Sequence, residues 1–188
     1  MSTSSSLQNH FLIATPSLDG SYFSKSVTYI CEHNEDGAMG IVINQKTDMT
    51  LKQLLGLTDS DAIVDTSHQD CIVFSGGPVS KDRGFILHTS QPGWSSSLSL
   101  SSEIMVTTSK DILAVIGNEE GPDKSLVALG YSGWSPGQLE EELEENSWLT
   151  LEADVDLLFN VAPEDKWQKA IEKLGINIWQ LSPNVGHA

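Results

Sequence analysis

Two apolar segments, Ser26 to His33 and Ala38 to Gln45, are separated by only Asn34-Glu35-Asp36-Gly37. Four residues are too few for a crossover connection, and these four tolerate the backbone angles of a tight reversal. The segments must therefore run antiparallel, as a β-hairpin. His10 to Ala14 reads as an earlier strand ended by Pro16, with Leu18-Asp19-Gly20 as a loop. Cys71 to Phe74 and Gly84 to His88 read as strands joined through Ser75 to Arg83, and Glu103 to Thr108, Ser125 to Gly130 and Asn177 to Leu181 as three more. Between Ser95 and Ser102, Leu98 and Leu100 alternate with serines, the pattern of an edge strand.

Helical signals are few and short. Thr50 to Leu55 reads as a short helix stopped at Gly56, and Asp111 to Ile116 as one that Ser109 caps; Thr58 to Gln69 is polar and loop-like. Trp167, Ala170, Ile171 and Leu174 fall at i, i+3, i+4 and i+7, an amphipathic helix closed by Gly175. Hairpins mixed with short helices, without regular β-α-β alternation, place the fold in the α+β class.

The glycine-rich turn Gly130-Tyr131-Ser132-Gly133-Trp134 leads into an acidic helix. Ser135 suits the N-cap, Pro136 the first helical position, and Gln138 the return contact of a capping box. Leu139 and Leu143 share one face, while Glu140, Glu141, Glu142, Glu144 and Glu145 cover the rest. A solvated acidic face is the reading preferred for such a run, with a docking surface for a basic partner as the alternative.

Ten Lys and Arg stand against 26 Asp and Glu, a net charge of −16 over 188 residues. Such a chain is repelled by phosphate backbones and anionic lipid, which argues against direct nucleic-acid or membrane binding. No run is long and apolar enough for a signal peptide or a membrane span, so a cytoplasmic protein is expected. Length and composition suit a flexible serine-rich tail over residues 1–9 and a single domain over 10–188. Cys31 and Cys71 each sit in an apolar run and read as buried thiols, with a disulfide as the lesser alternative, and no zinc-ligand spacing is present, so neither metal nor cofactor is expected.

Phosphate-loop, dinucleotide-binding, zinc-protease and nucleophile-elbow motifs are all absent from the sequence. Ser75-Gly76-Gly77-Pro78 follows an apolar strand; it reads as a turn, or as a backbone nest for an anion with Arg83 nearby. His33 and His88 end strands beside turns, as does Asn44, and each reads as a hydrogen-bonded strand-end residue before it reads as a ligand. No nucleophile and base can be paired, so no catalytic residue is named.

Seven blocks in order carry a family resemblance. They are His10-Phe11-Leu12-Ile13-Ala14, Cys31 to Asn34 with Gly37 to Asn44, Gly76-Gly77-Pro78, Asp82 to His88, Thr107 to Asp111, Gly130 to Trp134 with Gly137 to Glu140, and Gly186-His187-Ala188. Together they resemble the AlgH/YqgE family of bacterial proteins, from about His10 to Ala188. The resemblance implies a bifurcated, mostly antiparallel β-sheet curled into a pseudo-barrel and flanked by short helices. Family members are labelled transcriptional regulators, with no assigned chemistry. Without a helix-turn-helix and at this charge, regulation is expected to act through a protein or small-molecule ligand and not through DNA contact. The alternative is an enzyme acting on a small anionic or aromatic metabolite. In either case the expected site gathers the motif turns: His33, Asn44, Gly76, Gly77, Arg83, His88, Trp134 and Gln138, with Trp134 as a flat apolar wall.

Overall fold

The computed structural model describes residues 6–51, 53–54, 72–116 and 120–176. The expected hairpin is present. Strand β1 (His10–Ala14) is followed by β2 (Val27–Asn34) and β3 (Gly37–Val42), with β2 and β3 antiparallel and Asn34 opposite Gly37. The reversal thus needs only Glu35 and Asp36. The Asn34 side chain closes it by accepting the Asp36 N–H at 2.8 Å, the self-bonding that favours Asn in turns.

The remaining strands are β4 (Lys46–Thr50), β5 (Ile72–Ser75), β6 (Val79–Thr89), β7 (Ser97–Ser99), β8 (Ile104–Thr107), β9 (Ser125–Trp134) and β10 (Trp148–Glu152). They pair in the order β10-β1-β2-β3-β9-β6-β8-β7, with β4 and β5 branching off β9. The sheet is mostly antiparallel and curls into a half-barrel; among the described residues only β5 and β9 pair in parallel. The serine-rich segment supplies β7, at the end of the order, as its alternation indicates.

The bifurcation has an identifiable cause. Residues 125–129 of β9 pair with β6, and 127–129 also with β5, whereas Ser132, Gly133 and Trp134 pair with Gly40, Met39 and Ala38 of β3. Gly130 lies between these sets at φ 80°, a left-handed angle that redirects the strand. The expected turn from Gly130 to Trp134 is therefore strand, bent once at its first glycine.

Alternation sorts the core into layers, since successive strand residues face opposite ways. Phe11, Tyr29, Ile41, Phe85 and Leu87 pack on one side with Ala170 and Ile171 of helix α2 (Lys166–Leu174) and with Leu157 and Leu158 of a π-helical turn, Asp156–Asn160. Leu12, Ile30, Trp134 and Trp148 pack on the other against Leu139 of helix α1 (Gln138–Glu144). Ile86, Val73, Val127 and Leu51 form a third cluster with Ile112 and Leu113. Helix α2 runs to Gly175 at φ 68°, the expected C-cap; burying Ile171 there contributes about 1.5–3 kcal/mol.

Further sequence readings need revision. Strands β4 and β10 are absent from the sequence reading: β4 has Met49 as its one apolar residue, whereas β10 does alternate, Leu149 and Leu151 with Thr150 and Glu152, and pairs with β1, His10 opposite Glu152 and Ala14 opposite Trp148. The segment after Ser109 is a 3-10 turn, Lys110–Ala114, and the Ser109 hydroxyl bonds the Asp111 carboxylate at 2.5 Å instead of capping backbone. Helix α1 starts at Gln138 with Gly137 at its N-cap, and Ser135 makes no side-chain cap. Gln138 does make the expected return contact, accepting the Ser135 N–H at 2.9 Å.

Near Thr50 the helical residues are Leu51, Gln53 and Leu54, and Thr50 and Gln53 exchange backbone-to-side-chain hydrogen bonds at 2.9 and 3.3 Å. Residues 6–9, assigned by sequence to the tail, are bonded to β2: Asn9 donates its N–H to Ile30 and accepts the Tyr29 hydroxyl. Cys71, the stop at Gly56, the stretch from Thr58 to Gln69 and the strand from Asn177 to Leu181 lie outside the described residues. Among the described residues no helix is long and apolar enough to cross a membrane.

Candidate functional site

The eight residues expected at the site do not share one cleft. Gly76 and Gly77 sit where β5, β6 and β9 converge. The Gly76 N–H is spent on the Leu129 carbonyl at 2.8 Å, and its own carbonyl accepts from Val42 at 2.9 Å. A Cβ on Gly76 would overlap the Gly130 carbonyl oxygen, and one on Gly77 the Tyr131 carbonyl. Close backbone approach is what these positions require, and the Gly76 N–H is not free for an anion. Asn44 is a clamp between strands: its carbonyl accepts the Val27 N–H and its amide donates to the Lys25 carbonyl, both at 2.9 Å.

His33 and His88 are both buried and bonded. The His33 Nδ1 accepts the Leu7 N–H at 2.9 Å, so the ring's proton is on Nε2, which donates to Glu140 Oε1 at 2.5 Å. That N–H, together with a backbone hydrogen bond, holds the Glu140 carboxyl below the usual carboxylate range. His88 has 0% exposure; its Nδ1 donates to the Thr89 carbonyl and its Nε2 bonds the Thr107 hydroxyl, each at 2.7 Å. Burial lowers its pKa and keeps the ring neutral. His88 alternates with Leu87 and so faces away from the cluster that holds Phe85 and Val106.

Trp134 is interior and not an open wall, because a large apolar ring gains most by burial and its N–H finds an acceptor there. It is 6% exposed and lies edge-on to Trp148, centroids 6.1 Å apart. Both indole N–H groups donate to Glu142 Oε1, at 3.0 and 2.9 Å, and Gln138 donates to Glu142 Oε2 at 2.9 Å. The acidic face of α1 is thus divided. Glu140 and Glu142 are structural acceptors, while Glu141, Glu144 and Glu145 are exposed as the solvated-face reading expects.

Arg83 is different. It is the single arginine of the chain, and it lines a cleft of about 200 Å³ bounded by β2, β3, β6, β7 and β8. The floor is apolar, from Met39, Phe85, Leu98, Val106 and Cys31. Glu32, Ser96 and Thr108 add polar groups, the two hydroxyls 2.9 Å apart.

A bulge delivers Arg83 to this place. Val79 pairs with Tyr131 but Gly84 with Leu129, so residues 80–83 of β6 stand opposite Gly130 alone. Ser80, at φ 44°, begins the detour. The guanidinium carbon then lies 5.3 Å from the centroid of the Phe85 ring, and among the described residues Arg83 has no hydrogen bond or ion pair. An arginine held against a ring with its donors unused is equipped to bind a carboxylate or phosphate.

The cleft offers no activated nucleophile. Burial pushes the Cys31 thiol up to about 12, so it stays protonated and inert at neutral pH. Among the described residues no three His, Cys, Asp or Glu side chains gather as a metal site. Of the sequence candidates only Arg83 lines the cleft. Glu32, Met39, Ser96, Leu98 and Thr108 were missed, because their placement depends on bulges and on the β7–β8 pairing; the serine–leucine alternation around Leu98 marks an edge strand but not a cleft.

A family model described as AlgH-like matches residues 11–179. A UPF0301 protein of Vibrio cholerae is 56% identical, covering 97% of this chain and 99% of its own. One from Idiomarina loihiensis is 53% identical over 97% and 99%. The solution structure of the AlgH protein from Pseudomonas aeruginosa is similar over 100% of this chain and 99% of that one, with a TM-score of 0.81 and 44% identity. A crystal structure from Corynebacterium diphtheriae shares the fold at a TM-score of 0.71 and 18% identity, covering 97% of this chain and 94% of its own.

Proposed function

The chain belongs to the AlgH-like family, and we propose that it is a binding protein whose Arg83 cleft takes a small anionic ligand with an apolar part. The observation that carries this reading is the position of the chain's single arginine, unpaired among the described residues and stacked on Phe85 over an apolar floor. In a chain of charge −16, a cation left free at a cleft is a specific feature and not part of a basic field. A cavity of about 200 Å³ is below the range of drug-sized sites and suits a small metabolite.

Binding is favoured over catalysis because Cys31 is protonated and His88 faces the other way, leaving no nucleophile–base pair in the cleft. Any regulatory role then follows from ligand occupancy or protein contact, and not from DNA contact. The other sequence candidates, His33, Asn44, Gly76, Gly77, His88, Trp134 and Gln138, are assigned structural roles outside the cleft, joining strands to one another and to α1.

The test is titration of 15N-labelled protein with small carboxylates and phosphates, read at the Arg83 and Phe85 amides. Arg83→Gln should weaken binding about ten-fold or more, the scale of a lost charge-assisted pair. Binding that ignores this substitution, or shifts that map away from the cleft, would sink the reading. Sequence-selective duplex-DNA binding at physiological salt would do the same for the indirect mode of regulation.

A further inference from the structure

Arg83 is not the only charge brought to the cleft by an irregular strand. Glu32 lines it as well, and β2 carries its own bulge there: Ile30 pairs with Gly40 but Glu32 with Met39, so Cys31 is an extra residue. In a regular strand Cys31 and Glu32 would face opposite sides, yet both line the cleft. Two bulges on different strands therefore aim one cation and one anion into the same small volume. Bulges of this kind re-aim side chains next to sites.

The two charges do not neutralise each other. Among the described residues there is no ion pair between Glu32 and Arg83, and the one hydrogen bond of the Glu32 carboxylate is from Asn34 at 3.2 Å. Met39, Phe85, Leu98 and Val106 supply the apolar lining. A monoanion would satisfy Arg83 and leave Glu32 to repel it. A ligand with a carboxylate, an ammonium and an apolar chain satisfies both charges and the floor.

We propose that the cleft takes a zwitterionic amino carboxylate of single-amino-acid size with an apolar chain, its carboxylate on Arg83 and its ammonium on Glu32. This rests on the reading of the cleft as an anion site. The ammonium gains a charge-assisted bond that a plain carboxylate lacks, a difference of about ten-fold or more in affinity.

Four probes of matched length separate the parts: norleucine, 6-aminohexanoate, hexanoate and hexylamine, titrated into the full chain by NMR and calorimetry. The expected result is that norleucine or 6-aminohexanoate binds about ten-fold tighter than hexanoate. Glu32→Gln should bring that zwitterion down to the level of hexanoate, and Arg83→Gln should weaken all three carboxylates. If hexanoate binds as tightly as both zwitterions and still depends on Arg83, the zwitterion proposal is overturned while the anion site stands. If no carboxylate binds at the cleft, both fall.

Discussion

His33 Nε2 lies 2.5 Å from Glu140 Oε1, although 107 residues separate them in the chain. The ring's other nitrogen accepts the Leu7 N–H, so one neutral imidazole joins the N-terminal segment, β2 and α1. Protonating His33 would put a proton on Nδ1 against the Leu7 N–H and break that contact. The histidine is a structural joint whose tautomer is set by its two neighbours.

Glu140→Ala should therefore cost about 0.5–1 kcal/mol, less than a buried charged hydrogen bond because 37% of the Glu140 side chain remains exposed. The pH dependence has a definite sign. The folded-state pKa of Glu140 is lowered, so its contribution is present above the unfolded carboxylate pKa of about 4.3 and is lost as pH falls through the folded value. Urea midpoints of wild type and variant should converge toward low pH; a constant gap would remove the carboxylate from the account.

The start of α1 gives a sharper comparison. Gln138 bonds both the Ser135 N–H and the Glu142 carboxylate, whereas Ser135 makes no cap with its hydroxyl. Gln138→Ala should destabilise by about 1 kcal/mol and Ser135→Ala by less than about 0.5. Denaturant midpoints in the reverse order would restore the serine as the cap.

The convergence of β5, β6 and β9 makes a third case. A methyl group at Gly76 meets the Gly130 carbonyl oxygen, and Ile41 and Ala128 close the other sides at 3.1 and 3.3 Å. None of these neighbours is a flexible side-chain end, so the backbone must shift. Gly76→Ala should cost about 3 kcal/mol, at the upper end of overpacking effects. Gly137→Ala meets nothing within 4 Å and pays only for its φ of 80°. A melting temperature for Gly76→Ala equal to that of wild type would contradict the close approach.

These cases show what the sequence could and could not convey. The β2–β3 hairpin and α2 were legible because each has a strong local signal: a short reversal flanked by apolar runs, and an i, i+3, i+4, i+7 stripe ending in Gly175. Strand β4 was not, since Lys46–Thr50 has Met49 as its one apolar residue and is specified by pairing with β5. For the site, Arg83 could be singled out as scarce positive charge. Glu32 could not, because only the bulge at Cys31 turns it into the cleft, and a bulge leaves no mark in alternation until its partner strand is known. Trp134 was misplaced for a related reason: the glycines around it resemble a turn, and only pairing with Ala38 shows them to be strand.

Lys166 supports the last prediction. It is 2% exposed, and its ammonium donates to the Ile43 and Leu158 carbonyls at 2.8 and 2.9 Å and lies 5.4 Å from the Phe74 ring centroid, with no ion pair among the described residues. Burial pushes its pKa down to about 7, against about 10.4 in an unfolded chain. Below pH 7 the amine is protonated in both states and the folded protein carries the full cost of the buried charge. Between the two values the unfolded chain binds more protons, so stability should rise with pH, by at most about 1.4 kcal/mol per unit. Lys166→Met keeps the stem, removes the charge and leaves the two carbonyls unpaired. Near pH 6 relief from the buried charge offsets the lost hydrogen bonds and the variant should be close to wild type; near pH 9 it should be less stable by a few kcal/mol, on the order of the cost of two unsatisfied carbonyls. Guanidinium unfolding at both pH values checks this. A wild-type curve that is flat from pH 7 to 9 would mean that the carbonyls and the Phe74 face hold the ammonium charged throughout, and the predicted slope would be wrong.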